Sequence, residues 1–236
     1  HTIPGGDTCN QISEEIEMNQ SEIDSLLESK VSRRRHLKSL EYGVGHYDVE
    51  FPSTIIIDGI MCHHSAHRRW SGMLSRCYKP HTEQLEHSYA GCTVADEWLR
   101  FSNFLAFWKE NYRDGYVLDK DLLHPGNKIY GPEYCVFVPP ALNLFTGDRA
   151  RLRGKYPQGV IWHKQSAKFR ARINVNGKIS HLGLFNTTQE AHLAWHTAKM
   201  QQAKDWKPTC DEIHPLLHAG LMKKIAGMQQ RFTQPR

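Results

Sequence analysis

Asp119 and Asn143 are the residues whose types and setting offer chemistry first. The segment from Tyr116 to Phe145 reads as strand, long polar loop, strand and helix. Val117 to Leu123 predicts the first strand, His124-Pro125-Gly126-Asn127-Lys128 opens the loop, and Cys135 to Val138 predicts the second strand. Pro139-Pro140 then start a helix that carries Asn143. A strand carboxylate facing a helix amide is a hard-oxygen pair suited to Mg²⁺ or Mn²⁺. Bridged to a phosphate, such a cation stabilises charge on the leaving oxygen of a phosphodiester. Asp and Asn are also common in loops, so this spacing alone does not specify the chemistry.

A second set of residues, further along, speaks to the same substrate class. Between Asp148 and Lys207 there are twelve Lys or Arg and three acidic residues, a surplus of nine in a chain of net charge +5. Charge gathered on one segment is the electrostatic footprint of polyanion binding. The segment predicts three strands and a helix. Val175-Asn176-Gly177-Lys178 reads as a two-residue hairpin turn, since Asn-Gly tolerates the positive φ such a turn needs. That register sets Arg172 opposite His181, Arg170 opposite Gly183 and Asn174 opposite Ile179. Alternation then sends Phe169, Ala171, Ile173 and Val175 to the other face, together with Leu182 and Leu184. Thr187 and Glu190 predict a capping box, and Ala191, Trp195 and Ala198 recur at helical spacing. The helix would cover the apolar face and leave the basic face open.

The elements around these two regions are plainer. Residues 1 to about 40 begin acidic, with Glu14, Glu15, Glu17, Glu22, Asp24 and Glu28, before Arg33-Arg34-Arg35 reverses the sign. Ile12, Ile16, Ile23, Leu26 and Leu27 predict one or two short amphipathic helices, and the stretch Arg33 to Lys38 offers an additional basic arm. Tyr42 to Gly45 predicts a turn and Thr54 to Ile57 a short strand before Asp58-Gly59. From His67 to Tyr112 the pattern is helical and aromatic: Trp70, Met73, Leu74 and Cys77 share one face, and Trp98, Phe101, Phe104, Leu105 and Trp108 mark another. These rings are read as core. A helical stretch, Leu216 to Gln230, closes the chain with no evident role.

Composition excludes several classes. No apolar run approaches membrane-span length, and the start lacks a signal-peptide stretch; its first residue is His rather than Met, which points to a trimmed start. The six cysteines lie far apart without a Cys-x-x-Cys pair, as in a reduced, intracellular protein. Their spacing fits no standard finger, so structural Zn²⁺ is not expected and buried thiols are.

The basic segment resembles the APETALA-type (ethylene-response-factor) DNA-binding domain. The likeness rests on Gly159-Val160, Lys168 to Ile173, Asn176-Gly177-Lys178, His181 to Phe185 and Glu190-Ala191. It implies a sheet laid in the major groove of double-stranded DNA, with Ile161, His163, Arg172, Asn174 and His181 at contact positions and Arg170 beside them. Ile161 stands where the family usually has an arginine, so Trp162 and Lys164 are the alternatives on that strand. Upstream, Tyr89 to Val94, Asp96-Glu97-Trp98, Phe101 to Phe104, Leu118 to Asp121, Gly126 to Tyr130 and Cys135 to Val138 resemble a phage group of HNH homing endonucleases, many of which carry the same module. Trp70 to Tyr78 extends that likeness, which covers about residues 42 to 204.

By position, the resemblance makes Asp119 and Asn143 metal ligands and Asn127 the amide that orders the finger. The general-base position, usually histidine, falls on Lys120. A lysine accepts a proton only if burial depresses its pKa strongly. Lys120 itself, Asp121, His124 or a metal-bound hydroxide are the open choices, as is a finger that has lost cleavage; a phosphate-holding role for Lys120 is preferred. The expectation is an α+β protein with an HNH-like ββα-metal core plus a three-stranded sheet with one packed helix. Its expected parts are 1–41, a nuclease domain 42–147, a DNA-binding domain 148–207 and a tail 208–236. The expected activity is Mg²⁺- or Mn²⁺-dependent DNA hydrolysis in the cytoplasm of an infected cell, with no membrane association. Two rivals stay open: a DNA-binding regulator with an inactive finger, and a protein that inhibits a host enzyme through its acidic start.

Overall fold

The computed structural model describes residues 18–32, 40–79, 89–147 and 155–233. The architecture is mixed α+β with small sheets. By its internal contacts the chain divides into two units, 1–112 with 128–132, and 113–127 with 133–236. This division differs from the expected boundaries: the strand and helix of Asp119 and Asn143 group with the basic sheet and the tail. Residues 1–17 and the basic stretch at 33–39 lie outside the described residues.

In the first unit, Asn19 and Glu22 form a capping box that starts α1 (Gln20–Glu28). Its Ile23 and Leu27 pack on Cys62 of the hairpin β1 (Thr54–Ile57) and β2 (Ile60–His63). Asp58 and Gly59, both at positive φ, make that hairpin's two-residue turn. Helices α2 (Ser65–Tyr78) and α3 (Phe101–Asn111) pack together, and Trp70, Met73, Leu74, Trp98, Phe101 and Phe104 are buried as the aromatic pattern requires. Trp70 Nε1 donates to the Trp98 carbonyl at 2.6 Å, so its polar edge is satisfied inside the core. The short strand β3 (Thr93–Val94) is the partner of β5 (Ile129–Tyr130), with which it runs parallel.

The second unit begins with β4 (Val117–Asp119), paired antiparallel with β6 (Val136–Val138), which leads into α4 (Pro140–Phe145). The first strand is shorter than the expected Val117 to Leu123. Asp119 ends it, because its own Oδ1 accepts the backbone N–H groups of Asp121 and Leu122 and turns the chain. Leu122 and Leu123 thereby leave the sheet and enter the core.

Strands β7 (Val160–His163), β8 (Lys168–Val175) and β9 (Lys178–Phe185) form the three-stranded sheet, with Asn176 and Gly177 at positive φ in the turn. Helix α5 (Thr188–Asp205) follows, opened by the Thr187–Glu190 capping box. Val160, Ala171 and Ala191 are buried between sheet and helix. Gly159 sits at φ +81, and a Cβ there would come 2.1 Å from the Trp195 indole, so glycine lets the chain enter β7 directly over that ring.

Helices α6 (Lys207–Ile213) and α7 (Leu217–Thr233) complete the unit. Leu217, Leu221, Ile225 and Met228 recur along one face of α7 and share a core with Leu122, Val138, Leu142, Ile173 and Trp195. The tail is thus core, and it packs the β4–β6–α4 segment and the sheet's helix into one body. No helix among the described residues is long and apolar enough to cross a membrane.

Two glycines of α7 test this packing against each other. A Cβ at Gly220 would lie 1.9 Å from the Leu122 carbonyl oxygen, whereas one at Gly227 would meet nothing within 4 Å. Gly220→Ala is expected to lower unfolding stability by about 2 kcal/mol, since backbone cannot yield as a side chain can. Gly227→Ala is expected to raise it by about 0.5–1 kcal/mol through helix propensity. Urea denaturation of both variants reads the two signs.

Candidate functional site

Asp119 closes β4 opposite Val136, with its carboxylate buried. Its Oδ1 accepts from Asp121 N at 2.8 Å and Leu122 N at 2.7 Å, and Oδ2 takes no part in that turn. Burial raises its pKa most, and the charge of Asp121 adds to the rise; Lys224 and the two backbone donors oppose it. A buried carboxylate in this state gains most from a cation. Helix α4, which carries Asn143, lies against β4, with Leu142 anchored in the core and Asn143 half-buried beside it.

Asn127 and Lys120 cinch the loop by exchanging bonds. Asn127 Nδ2 donates to the Lys120 carbonyl at 2.7 Å, and Lys120 Nζ donates to the Asn127 carbonyl at 3.0 Å. Asn127 N also donates to the His124 carbonyl at 2.9 Å. Lys120 Nζ lies 3.6 Å from Asp121 Oδ2 as well. Both partners are acceptors, the surroundings of a donor rather than of a proton acceptor.

Asp121 faces ammonium groups on both oxygens, Lys120 on Oδ2 and Lys224 of α7 on Oδ1. Burial, the largest influence, would raise its pKa, yet Lys224 and Lys120 together hold it below the usual carboxylate value. His124 is exposed on the loop, edge-to-face with Tyr134 at 5.9 Å.

Among the described residues no group of three or more His, Cys, Asp or Glu converges as a metal site. The residues that could hold a cation here are Asp119 and Asn143, whose carboxylate and amide oxygens are hard donors of the kind Mg²⁺ or Mn²⁺ accepts. Cys62, Cys77, Cys92, Cys135 and Cys210 carry thiols rather than disulfides.

The sheet presents one mixed face. Arg172 pairs with His181 and Asn174 with Ile179, as the turn dictates. Arg170, however, pairs with Leu184 rather than Gly183, because a bulge between Ala171 and Arg172 shifts the register. Leu182 is the extra residue, and it still packs on the core; Leu184 is thereby carried to the arginine face, 44% exposed, instead of the helix face. Across β7, Ile161 pairs with Arg170 and His163 with Lys168. Trp162 pairs with Phe169, edge-to-face at 4.9 Å, which places it on the side of the sheet away from the arginines.

Polar partners restrict some of these residues. Asn174 Oδ1 accepts from Gly177 N at 2.8 Å and so locks the hairpin turn. His163 Nδ1 meets Ser166 Oγ at 2.8 Å, and Lys164 begins the exposed one-turn helix after β7. Arg172 and His181 stay exposed.

Two residues escaped the sequence reading. Lys224 had a detectable signal, since the spacing Leu217, Leu221, Ile225 marks α7 as a core helix whose neighbouring lysine must lie at its margin. Lys199 had none: it counts toward the basic surplus, yet it is buried with Nζ 3.4 Å from the Phe145 ring centroid. Comparison with protein-family models, curated proteins and solved structures finds no match for this chain.

Burial lowers the Lys199 pKa from 10.5 to about 8. The folded state then binds fewer protons than the unfolded state between these values, so stability is expected to rise with pH from about 8 to 10.5. The gain is at most about 3 kcal/mol, reduced by the cation–π contact that favours the ammonium. Denaturation at pH 7.5 and 10 should show an increment in the native protein that Lys199→Met lacks.

Proposed function

We propose that this chain is a divalent-metal-dependent DNA endonuclease of the HNH type, tethered to double-stranded DNA by its basic three-stranded sheet and acting inside an infected cell. One observation carries the reading: Asp119 ends a strand against which the Asn143 helix lies, in the same compact unit as the sheet that presents Arg170 and Arg172. The cinching of the loop by Asn127 supports it, because a finger must hold its ligands in place before metal arrives.

In this reading Asp119 and Asn143 would hold the cation, which when bound would supply charge stabilisation at the leaving oxygen. Lys120 binds a phosphate oxygen as a cation, in keeping with its two acceptor partners. Asp121 is a poor base because two ammonium groups hold it as an anion. His124, exposed on the loop, is left as the group that takes the proton from water. On the sheet, Arg170 and Arg172 face base edges and phosphates, while Ile161, Ile179 and Leu184 offer apolar contact of the kind thymine methyls accept.

A second reading, a DNA-binding regulator with a structural finger, is favoured by the lysine at the base position and by the neutralisation of Asp121. Incubating the protein with plasmid and with its own genomic locus, with and without Mg²⁺, separates the two. Nicked or linear product only with Mg²⁺ supports the endonuclease; tight binding without product supports the regulator. The acidic start invoked for host-enzyme inhibition falls mostly outside the described residues.

Asp119→Asn, which keeps the Oδ1 acceptor that makes the turn, and Asn143→Ala are each expected to abolish cleavage while leaving DNA affinity within about twofold, because neither belongs to the basic sheet. Arg172→Glu should weaken specific binding, measured by gel shift, by more than Lys204→Glu, and Arg170→Glu combined with Arg172→Glu should remove most affinity. Unchanged affinity in that double variant would refute the tether. Lys120→Arg should keep much of the activity, since arginine preserves charge but is a poor base, whereas His124→Ala should be severe. Cleavage rates against pH sort these roles; a near-dead Lys120→Arg with intact binding would return the base to Lys120.

A further inference from the structure

Lys224 lies 103 residues from Asp121 in sequence, yet its ammonium meets Asp121 Oδ1 directly. The contact is not the reach of a mobile tail. Leu221 and Ile225 are fully buried on either side of it, and the Ile225 carbonyl bonds His196 Nε2 of α5 at 3.0 Å. One turn earlier, Gly220 seats the helix on the carbonyl oxygens of Leu122 and Leu123. The side chain itself is only 16% exposed. A rigid helix therefore delivers a fixed positive charge to the turn that Asp119 builds.

The chemistry at that turn makes the placement consequential. Asp119 and Asp121, two residues apart, would by themselves form a dicarboxylate, and affinity for divalent cations grows with the number of charged ligands. Here Lys224 occupies one Asp121 oxygen and Lys120 stands by the other. Asp119 alone keeps an oxygen outside these bonds. Resting on the metal-site reading above, we infer that Lys224 is a positioning residue that withholds Asp121 from the cation, so that the site takes a single, weakly held divalent ion through Asp119. Removing the ammonium frees a second carboxylate and removes a repulsive charge. Both effects tighten metal binding.

The test is direct Mn²⁺ binding to the full chain at pH 7.5, read by electron paramagnetic resonance of the free ion, without reference to cleavage. Lys224→Met and Lys224→Gln are each expected to lower the Mn²⁺ Kd by about tenfold. Lys224→Arg should retain the native value, and the double variant Lys224→Met with Asp121→Asn should return to it. The glutamine variant guards against a folding defect in the methionine variant, and circular dichroism checks both. Native binding left unchanged by both substitutions overturns the inference while sparing the metal site. A double variant as tight as Lys224→Met also overturns it, because the gained ligand would then not be Asp121. No Mn²⁺ binding in any variant overturns the metal-site reading and this inference with it.

Discussion

The second unit is organised by the turn at Asp119. A carboxylate that accepts two backbone N–H groups ends β4, sends Leu122 and Leu123 inward and leaves their carbonyls facing the tail helix. Gly220 then permits α7 to approach those carbonyls more closely than any other residue would allow. Without the turn, Leu122 and Leu123 would continue the strand and α7 would lose its seat. Without the seat, Lys224 would not meet Asp121. The local hydrogen bonds are modest, about 1 kcal/mol each by general experience, yet the geometry they impose decides where several buried side chains go.

The same turn creates an electrostatic balance. Two carboxylates two residues apart repel each other, and burial sharpens that repulsion. Lys120 and Lys224 supply the compensating charge, one from the turn and one from a distant helix. Asp119 remains the member under strain, pushed toward protonation by burial and by its neighbour. A group in that condition is suited to receive a cation.

The basic sheet shows how one bulge alters an exposed face. Beyond the slip at Leu182, each residue of β9 toward Phe185 pairs one position later than a regular hairpin would set it. Leu184 joins the arginines, so the exposed face alternates charged and aliphatic side chains rather than being uniformly basic. Trp162 moves the other way, packed on Phe169. Lys199, similarly, belongs to the basic segment by sequence but lies buried against Phe145.

Much of this was legible in the chain alone. The Asn176-Gly177 turn, the Thr187–Glu190 capping box, the helix that brings Asn143 and the buried faces around Trp70 and Trp98 depend on residues within a few positions of one another. Local steric and hydrogen-bond preferences fix such features, and the surplus of positive charge after Asp148 follows from composition. The early end of β4, the bulge at Leu182, the burial of Lys199 and the ion pair between Asp121 and Lys224 did not follow. Each is a compromise among groups distant in sequence: which leucine fills the core, which ring covers an ammonium, how closely one helix can approach another segment's carbonyls. Periodicity identifies a buried face but not what that face will meet. Only the packed structure decides that.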